Sequence, residues 1–349
     1  MGSFHQDLDN LTRDMHDASM EVEYMQKTPL LNLILEQKNM KFKGGKRYWF
    51  NMDTDTVEDL AQDYDVNEEL THGTKDVTDD AFFRRKSTQL PITLDFEEDL
   101  ENAYETEDQT QLHNLAKFKV KKAQEGMRLH LRKLIYGNAS DTAKQLQGLN
   151  SALVVDTTYG TLTRTQSTSM RDWWQPGDNR YSAVQQATER TISLTALRQW
   201  GDPLQDLENG NGRFVWIMGN ALYLALIAEA EARSQPVQRD PRGLAKFNIE
   251  EIEVGGQRVI KDPFLQTKYN SRLGLTSGTA GALERRVYGL NVPDWYFLIH
   301  PARNFKMLPF FDQAQIAGGA DFKLARIFLS GNIICKHPNR SIYFSNIVP

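Results

Sequence analysis

Apolar residues recur at gaps of three and four along one long stretch of this chain. Leu112, Ala116, Val120, Ala123, Met127, Leu131 and Leu134 share one helical face. No proline interrupts the stretch. Thr106 followed by Gln109 resembles a capping box, and Gly137-Asn138 supplies a stop. The spacing predicts a helix over 106–136, about 45 Å long at ~1.5 Å per residue. A second helical pattern runs from Ser182 to Trp200. It carries Val184, Ala187, Thr188, Ile192, Leu194 and Leu197 on its apolar side.

Strand patterns occupy much of the rest. Ile92–Phe96, Ala152–Val155 and Phe214–Met218 read as strands, and Tyr159–Leu162 as a further short one. After Phe214–Met218, Gly219 turns the chain, Asn220 caps, and 221–233 reads as a helix. Residues 249–260 read as a hairpin bent at Gly255-Gly256, and Trp295–Ile299 as a buried strand stopped by His300-Pro301. Residues 321–329 read as a short amphipathic segment. Ile333–Lys336 and Ser341–Phe344 read as a closing hairpin around Pro338-Asn339. Trp173, Trp174, Pro176 and Gly177 mark an aromatic loop. Strands and helices mix without a βαβ repeat, which predicts an α+β class and argues against a doubly wound sheet.

The charge order changes this picture most. Lys41, Lys43, Lys46 and Arg47 precede an excursion, 53–80, that holds eleven acids against Lys75 alone; Arg84, Arg85 and Lys86 close it. Tyr48, Trp49 and Phe50 sit at one junction, Phe82 and Phe83 at the other. Two basic-aromatic strands around an acidic excursion fit a long projecting hairpin, with a disordered acidic loop as the other reading. Such a ribbon needs a neighbouring surface, because isolated two-stranded ribbons are marginal in water. A second acidic run, with Glu97, Glu98, Asp99, Glu101 and Glu105, precedes the long helix. The helix itself is basic through Lys117, Lys119, Lys121, Lys122, Arg128, Arg132 and Lys133, with Glu125 opposing. Nucleic-acid binding and a subunit-facing surface both fit that face. Opposite charges on adjacent surfaces of identical subunits would fix their register.

The chain has 349 residues, 40% of them hydrophobic, with a net charge of −5. That balance fits a globular core and argues against wrapping DNA, which takes excess positive charge. The single cysteine, Cys335, sits in an apolar run. It forms no internal disulfide and reads as a buried small hydrophobe. No signal peptide pattern opens the chain. The longest apolar stretch, Phe214–Ala228, is too short for a bilayer and is interrupted by Gly219-Asn220. No membrane contact is expected, and the chain reads as soluble and made in a reducing compartment.

Chemistry-bearing motifs are wanting. Gly44-Gly45-Lys46 lacks the spacing and the hydroxyl of a phosphate loop, and the glycine-rich 276–282 stretch is followed by no lysine. An EF-hand opening at Asp53 would need glycine at position 58 and glutamate at 64, where Glu58 and Tyr64 stand. The seven histidines are scattered, none paired at helical ligand spacing. No catalytic residue, cofactor or metal ligand is assigned, and no enzymatic activity is expected.

The order of elements resembles the HK97-type fold of tailed-bacteriophage major capsid proteins, also found in encapsulins. The resemblance covers essentially the whole chain and rests on element order. It implies an N-terminal arm over 1–36, an extended hairpin (the E-loop) over 37–90, and a peripheral domain over 91–165 with its spine helix at about 107–136. An axial domain over 166–315 and a return to the peripheral domain over 316–349 complete it. It further implies self-assembly into hexamers and pentamers of an icosahedral head. That head would enclose double-stranded DNA by weak non-specific contact and be assembled in the host bacterial cytoplasm. Scaffolding, portal and decoration proteins are implied as further partners, with scaffolding either separate or removed. Some relatives cross-link lysine to asparagine; no partner asparagine is identifiable here, and no cross-link is expected. The candidate subunit contacts are Lys41, Lys43, Lys46, Arg47, Trp49, Arg84, Arg85, Glu97, Glu98, Asp99, Lys117, Lys121 and Arg128. An encapsulin-type shell, a nucleic-acid-binding protein using the basic helix, and an enzyme with a site assembled by folding are the competing readings.

Overall fold

The computed structural model describes residues 28–38, 40–42, 44–53, 60–61, 63, 73–74, 78–95, 109–164, 174–179, 182–206, 214–233, 237–239, 250–254, 257–312 and 322–349. The arm before residue 28, the acidic run at 97–105, the cap at Thr106 and the Gly255-Gly256 turn lie outside these residues, as does most of the acidic excursion.

The apolar patch after residue 28 forms helix α1 (Pro29–Glu36). Pro29 starts it at a position where no amide donor is needed. Strands β1 (Met40–Phe42), β2 (Arg47–Asp53), β3 (Thr78–Arg84) and β4 (Lys86–Asp95) follow, then the long helix α2 (Gln109–Ile135). Next come α3 (Leu149–Leu153), β5 (Thr158–Tyr159), β6 (Leu162–Thr163), α4 (Ala183–Ala187), β7 (Arg190–Thr191) and α5 (Leu194–Asp206). The chain continues through β8 (Phe214–Met218), α6 (Asn220–Ala232), β9 (Val237–Arg239), β10 (Glu250–Val254), β11 (Gln257–Lys261), β12 (Val287–Asn291) and β13 (Trp295–Ile299). It closes with β14 (Lys306–Asp312), β15 (Phe322–Cys335), β16 (Ile342–Phe344) and β17 (Ile347–Val348).

Two sheets organise these elements. The first is built around β15, fourteen residues long. Its first ten residues pair antiparallel with β4, from Phe322↔Asp95 to Gly331↔Lys86. Its other edge takes β14 near the start and β13 near the end, and β13 in turn takes β1. Helix α2 covers one face of this sheet with Ala116, Val120, Met127, Leu131 and Leu134 buried, as the periodicity predicts. The second sheet has the order β16-β12-β8-β11-β10-β9. Strand β8 is buried throughout and lies at its centre. Helices α5 and α6 pack on that sheet through Trp200, Leu204, Leu222 and Leu226.

Several local expectations are corrected. Residues 149–153 form a helical turn, not a strand. Asn150 donates to the Tyr136 carbonyl, and the Ser151 hydroxyl both donates to and accepts from Ala139, which curls the chain beneath the end of α2. The helix expected over 182–200 is two helices. The first is capped by Ser182 and Gln185, and the second by Ser193, whose hydroxyl accepts from Ala196. Between them β7 pairs with β17. Gly219 rather than Asn220 caps α6. Residues 322–329 of the expected 321–329 segment belong to the long strand β15, since pairing on both edges extends them beyond a local amphipathic segment. The closing hairpin does not form: β15 and β16 lie in different sheets, and the 3-10 turn Pro338–Arg340 carries the chain across. Tyr159–Leu162 is a complete two-residue hairpin turn, with φ of 60° at Gly160 and 69° at Thr161. Cys335 is buried, as expected, and burial raises its thiol pKa.

At Gly331 β15 is flanked by β4 on one edge and by β13 on the other. A Cβ there would lie 2.2 Å from the Leu298 carbonyl oxygen. Gly331→Ala is expected to lower unfolding stability by about 2–3 kcal/mol. Gly126→Ala, on α2 with only an ordinary 3.8 Å contact to Leu90, should raise it by about 0.5–1 kcal/mol. Urea midpoints of the two variants check the pair.

Candidate functional site

The feature that presents the most chemistry to its surroundings is the hairpin β2–β3. Its register is unbroken from Arg47↔Arg84 to Asp53↔Thr78. Strand alternation therefore divides its side chains between two faces. Tyr48, Ala81 and Phe83 point inward and are buried. Phe83 packs edge-on against Tyr159 at 4.9 Å, and Phe50 lies 6.4 Å from Tyr296. The Phe82 amide donates to the Gly160 carbonyl at 3.1 Å. Gly160 is required there, because a Cβ would meet the Phe83 ring at 2.7 Å. The root of the hairpin is thus clamped to the body by apolar burial worth about 1.5–3 kcal/mol per large side chain. Burial also raises the Tyr48 phenol pKa, with Arg85 opposing.

The outward face is of different character. Trp49 is 53% exposed and lies 5.1 Å from the Phe82 ring. The Arg47 guanidinium also sits over Phe82, 5.2 Å from its centroid. Arg47 and Arg84 are directly opposite one another, and Lys46 and Arg85 adjoin them. None of these four cations makes an ion pair among the described residues. Like charges directly opposite on a ribbon are unfavourable. Toward the distal end the exposed side chains become Asn51 and Asp80.

Of the expected contact residues, the structure thus brings together Lys46, Arg47, Trp49, Arg84 and Arg85. Lys41 stands apart on β1, where its ammonium lies 4.6 Å from the Tyr296 ring. Lys117 and Lys121 are exposed on α2, and Arg128 is half-buried on the same helix. Lys43, Glu97, Glu98 and Asp99 lie outside the described residues.

Sequence reasoning missed the buried polar groups that set this surface. Lys86, next to Arg84 and Arg85, reads as one more surface cation. The break between β3 and β4 at Arg85 shifts the alternation by one and turns it inward, where it donates to the carbonyls of Asp141 (2.6 Å) and Ala143. Burial lowers its pKa, with Asp141 opposing. Asn332 exchanges hydrogen bonds with Gln147 and donates to the Arg84 carbonyl, tying the hairpin root to β15. Arg164 is fully buried and bonds only oxygens of Ser151, Ala152, Val154, Thr157 and Trp174. Burial lowers its pKa to about 10. A lone arginine after a turn carries no sequence signal for such a role.

Among the described residues no group of three or more His, Cys, Asp or Glu side chains is placed to hold a metal. No described helix is long and apolar enough to cross a membrane.

No family model matches the sequence, and comparison with curated proteins finds no match. Solved structures do match. A chain described as the cyanophage A-1(L) capsid asymmetric unit superposes over 92% of this chain and 93% of its own, with a TM-score of 0.60 and 11% identity. A chain of the bacteriophage PhiM1 mature capsid covers 88% and 84%, with a TM-score of 0.49 and 10% identity. A chain of the holo-SrpI encapsulin complex from Synechococcus elongatus covers 90% and 87%, with a TM-score of 0.45 and 10% identity. On the likeness to the cyanophage A-1(L) chain, which spans nearly the whole chain, the fold is the α+β, HK97-type capsid fold that the element order resembles.

The two faces of the hairpin separate stability from surface function. Phe83→Ala should lower unfolding stability by about 3–5 kcal/mol. Trp49→Ala should change it by no more than about 0.5 kcal/mol. Thermal and urea unfolding of the two variants measure the difference.

Proposed function

We propose that this chain is a major capsid protein, assembling with copies of itself into hexamers and pentamers of an icosahedral phage head around double-stranded DNA. The observation that carries the reading is a capsid fold over 92% of the chain whose hairpin leaves Trp49 exposed beside arginines that make no ion pair among the described residues. An exposed aromatic flanked by cations is the composition of an interface anchor.

In this reading the domain assignment is the one that the resemblance implies. The arm covers 1–36, the hairpin loop 37–90, the peripheral domain 91–165 with α2 as its spine, the axial domain 166–315, and the return 316–349. The hairpin and the acidic run at 97–99 make contacts between copies, and Lys117, Lys121 and Arg128 offer a basic face to a neighbouring subunit. The protein's action is binding without turnover. Scaffolding, portal and decoration proteins are its further partners, and its place is the virion, after assembly in the host bacterial cytoplasm. Contact with the packaged genome is weak and non-specific, in keeping with the net charge of −5.

Electron microscopy and sedimentation of the purified chain test the reading. Shells or capsomer rings are expected from the wild type. Replacing residues 54–77 by an Asn-Gly turn should leave a folded subunit that assembles poorly. A wild-type chain that stays monomeric at high concentration, with crowding agent, would overturn the proposal. Normal shells from the shortened hairpin would remove its role in assembly.

A further inference from the structure

A buried polar cluster sits at the foot of α2, where Tyr136 is the first residue past the helix. Its hydroxyl donates to the Asp262 carboxylate, just beyond β11. Its carbonyl accepts from the Asn150 side chain on α3 at 3.2 Å and from the Arg286 guanidinium, just before β12, at 3.1 Å. The Tyr288 hydroxyl on β12 donates to Asn150 at 2.9 Å, and Arg286 also donates to the Gly281 carbonyl at 2.8 Å. Asp262 is fully buried. Its other oxygen accepts from the Phe264 amide at 2.8 Å, and its own amide donates to the Met218 carbonyl at the end of β8. Burial, reinforced by Asp262, holds the Tyr136 phenol well above its usual pKa, so the phenol stays a donor.

These bonds join two bodies. Tyr136 belongs to α2, which lies along the first sheet, while Asp262, Arg286 and Tyr288 belong to the second. The two sheets also share an apolar core, with Phe297 and Ile333 from the first and Val215, Ile217 and Leu290 from the second. Apolar contact is non-directional and accommodates small shifts, whereas hydrogen bonds weaken steeply when misaligned. A second polar attachment lies where the chain itself passes between the sheets. There the Ser341 hydroxyl accepts from the Asn291 amide and the Trp295 indole. Arg286 and Asn291 stand about 17 Å apart along β12 at ~3.3 Å per residue. A crossing point alone is a pivot. A second set of directional bonds that far away stops rotation about it.

We infer that the cluster of Tyr136, Asn150, Asp262, Arg286 and Tyr288 fixes the angle between the two sheets and thereby the curvature of the shell that copies of this chain form. The inference rests on the self-assembly reading and names residues that position one half of the subunit against the other. The 27 residues of α2 make a lever about 40 Å long. A tilt of about 5° at its foot moves its far end by about 3.5 Å, close to the ~4 Å reach of a side-chain contact. Such a shift is enough to change which neighbouring copy a subunit meets and how a ring of copies closes.

Tyr136→Phe combined with Tyr288→Phe tests it, because both rings stay in the core and only the two hydroxyls are lost. Asp262→Asn is the conservative comparison: its amide oxygen still accepts from Phe264, and its amide nitrogen donates to the Tyr136 oxygen. Leu204→Ala, in the separate core under α5, weakens the fold without touching the cluster. Spin labels on Lys122→Cys and Ala228→Cys, exposed on α2 and α6, report the angle in unassembled subunits; the native Cys335 is buried and stays unlabelled. Electron microscopy reads shell diameter.

The double variant should widen the label-to-label distance distribution at least twofold and raise the fraction of shells outside the wild-type diameter at least tenfold. Asp262→Asn and Leu204→Ala should match the wild type in both. Should the double variant fail to fold by circular dichroism, Tyr136→Phe alone carries both measurements with the same expected direction. Shells of wild-type diameter from a folded variant lacking the hydroxyls would overturn the inference and leave the capsid reading standing. An equal spread of diameters from Leu204→Ala would also overturn it, by assigning the effect to lost stability. Widened distances, with no shell from the wild type, would support the angular role and remove the assembly reading instead.

Discussion

Strand β15 holds the molecule together because it is hydrogen-bonded along both edges. One edge takes β4 for ten consecutive residues, and the other takes β14 and then β13. Residues far apart in sequence, from 86 to 335, become neighbours through that one strand. Its central residues show the cost of this position. Gly331 has no room for a side chain, and Asn332, wholly buried, spends its amide on Gln147 and on the Arg84 carbonyl. Each partner of β15 then fixes something else: β4 fixes the line along which α2 lies, and β13 fixes β1 and the anchor helix α1. The step from Cys335 through Pro338 into β16 links the first sheet to the second.

The hairpin inherits its direction from this arrangement. It is fastened at its root by Asn332, by Lys86 turned inward, and by Phe83 seated on Gly160 and Tyr159. What remains outward is determined by strand alternation alone: Arg47, Trp49, Phe82 and Arg84. Contacts made by a face this charged are weakened by salt. The rigidity of the clamp matters for this, since a contact surface on a mobile ribbon would pay an entropic cost at each association.

Much of the fold was legible in the chain because its periodicities are local. The α2 face, the buried β8, the β10–β11 hairpin and β13 at Trp295–Ile299 all follow from spacing of three and four or of two. The errors arose where non-local bonds overrode local preference. Ala152–Val155 has strand-forming residues, yet Arg164, Asn150 and Ser151 hold 149–153 as a helical turn. The pattern over 182–200 is helical throughout, yet β17 claims Arg190–Thr191 as a strand partner. Ile333–Cys335 and Ile342–Phe344 look like a hairpin, and only the two-sheet topology sends them apart. At the candidate site, the basic-aromatic junctions were visible as composition. Which cations face out was not, because the break in the strand at Arg85, which puts Lys86 on the opposite face from Arg84, carries no local signal.

A high-resolution cryo-electron microscopy map of particles formed by the purified chain tests the central claim, that this subunit is completed by copies of itself. The account predicts a closed shell in which Trp49 and the Arg47–Arg84 pair are covered by another copy of the chain. A shell in which Trp49 and both arginines face solvent would contradict it, as would a protein that forms no ordered assembly at all.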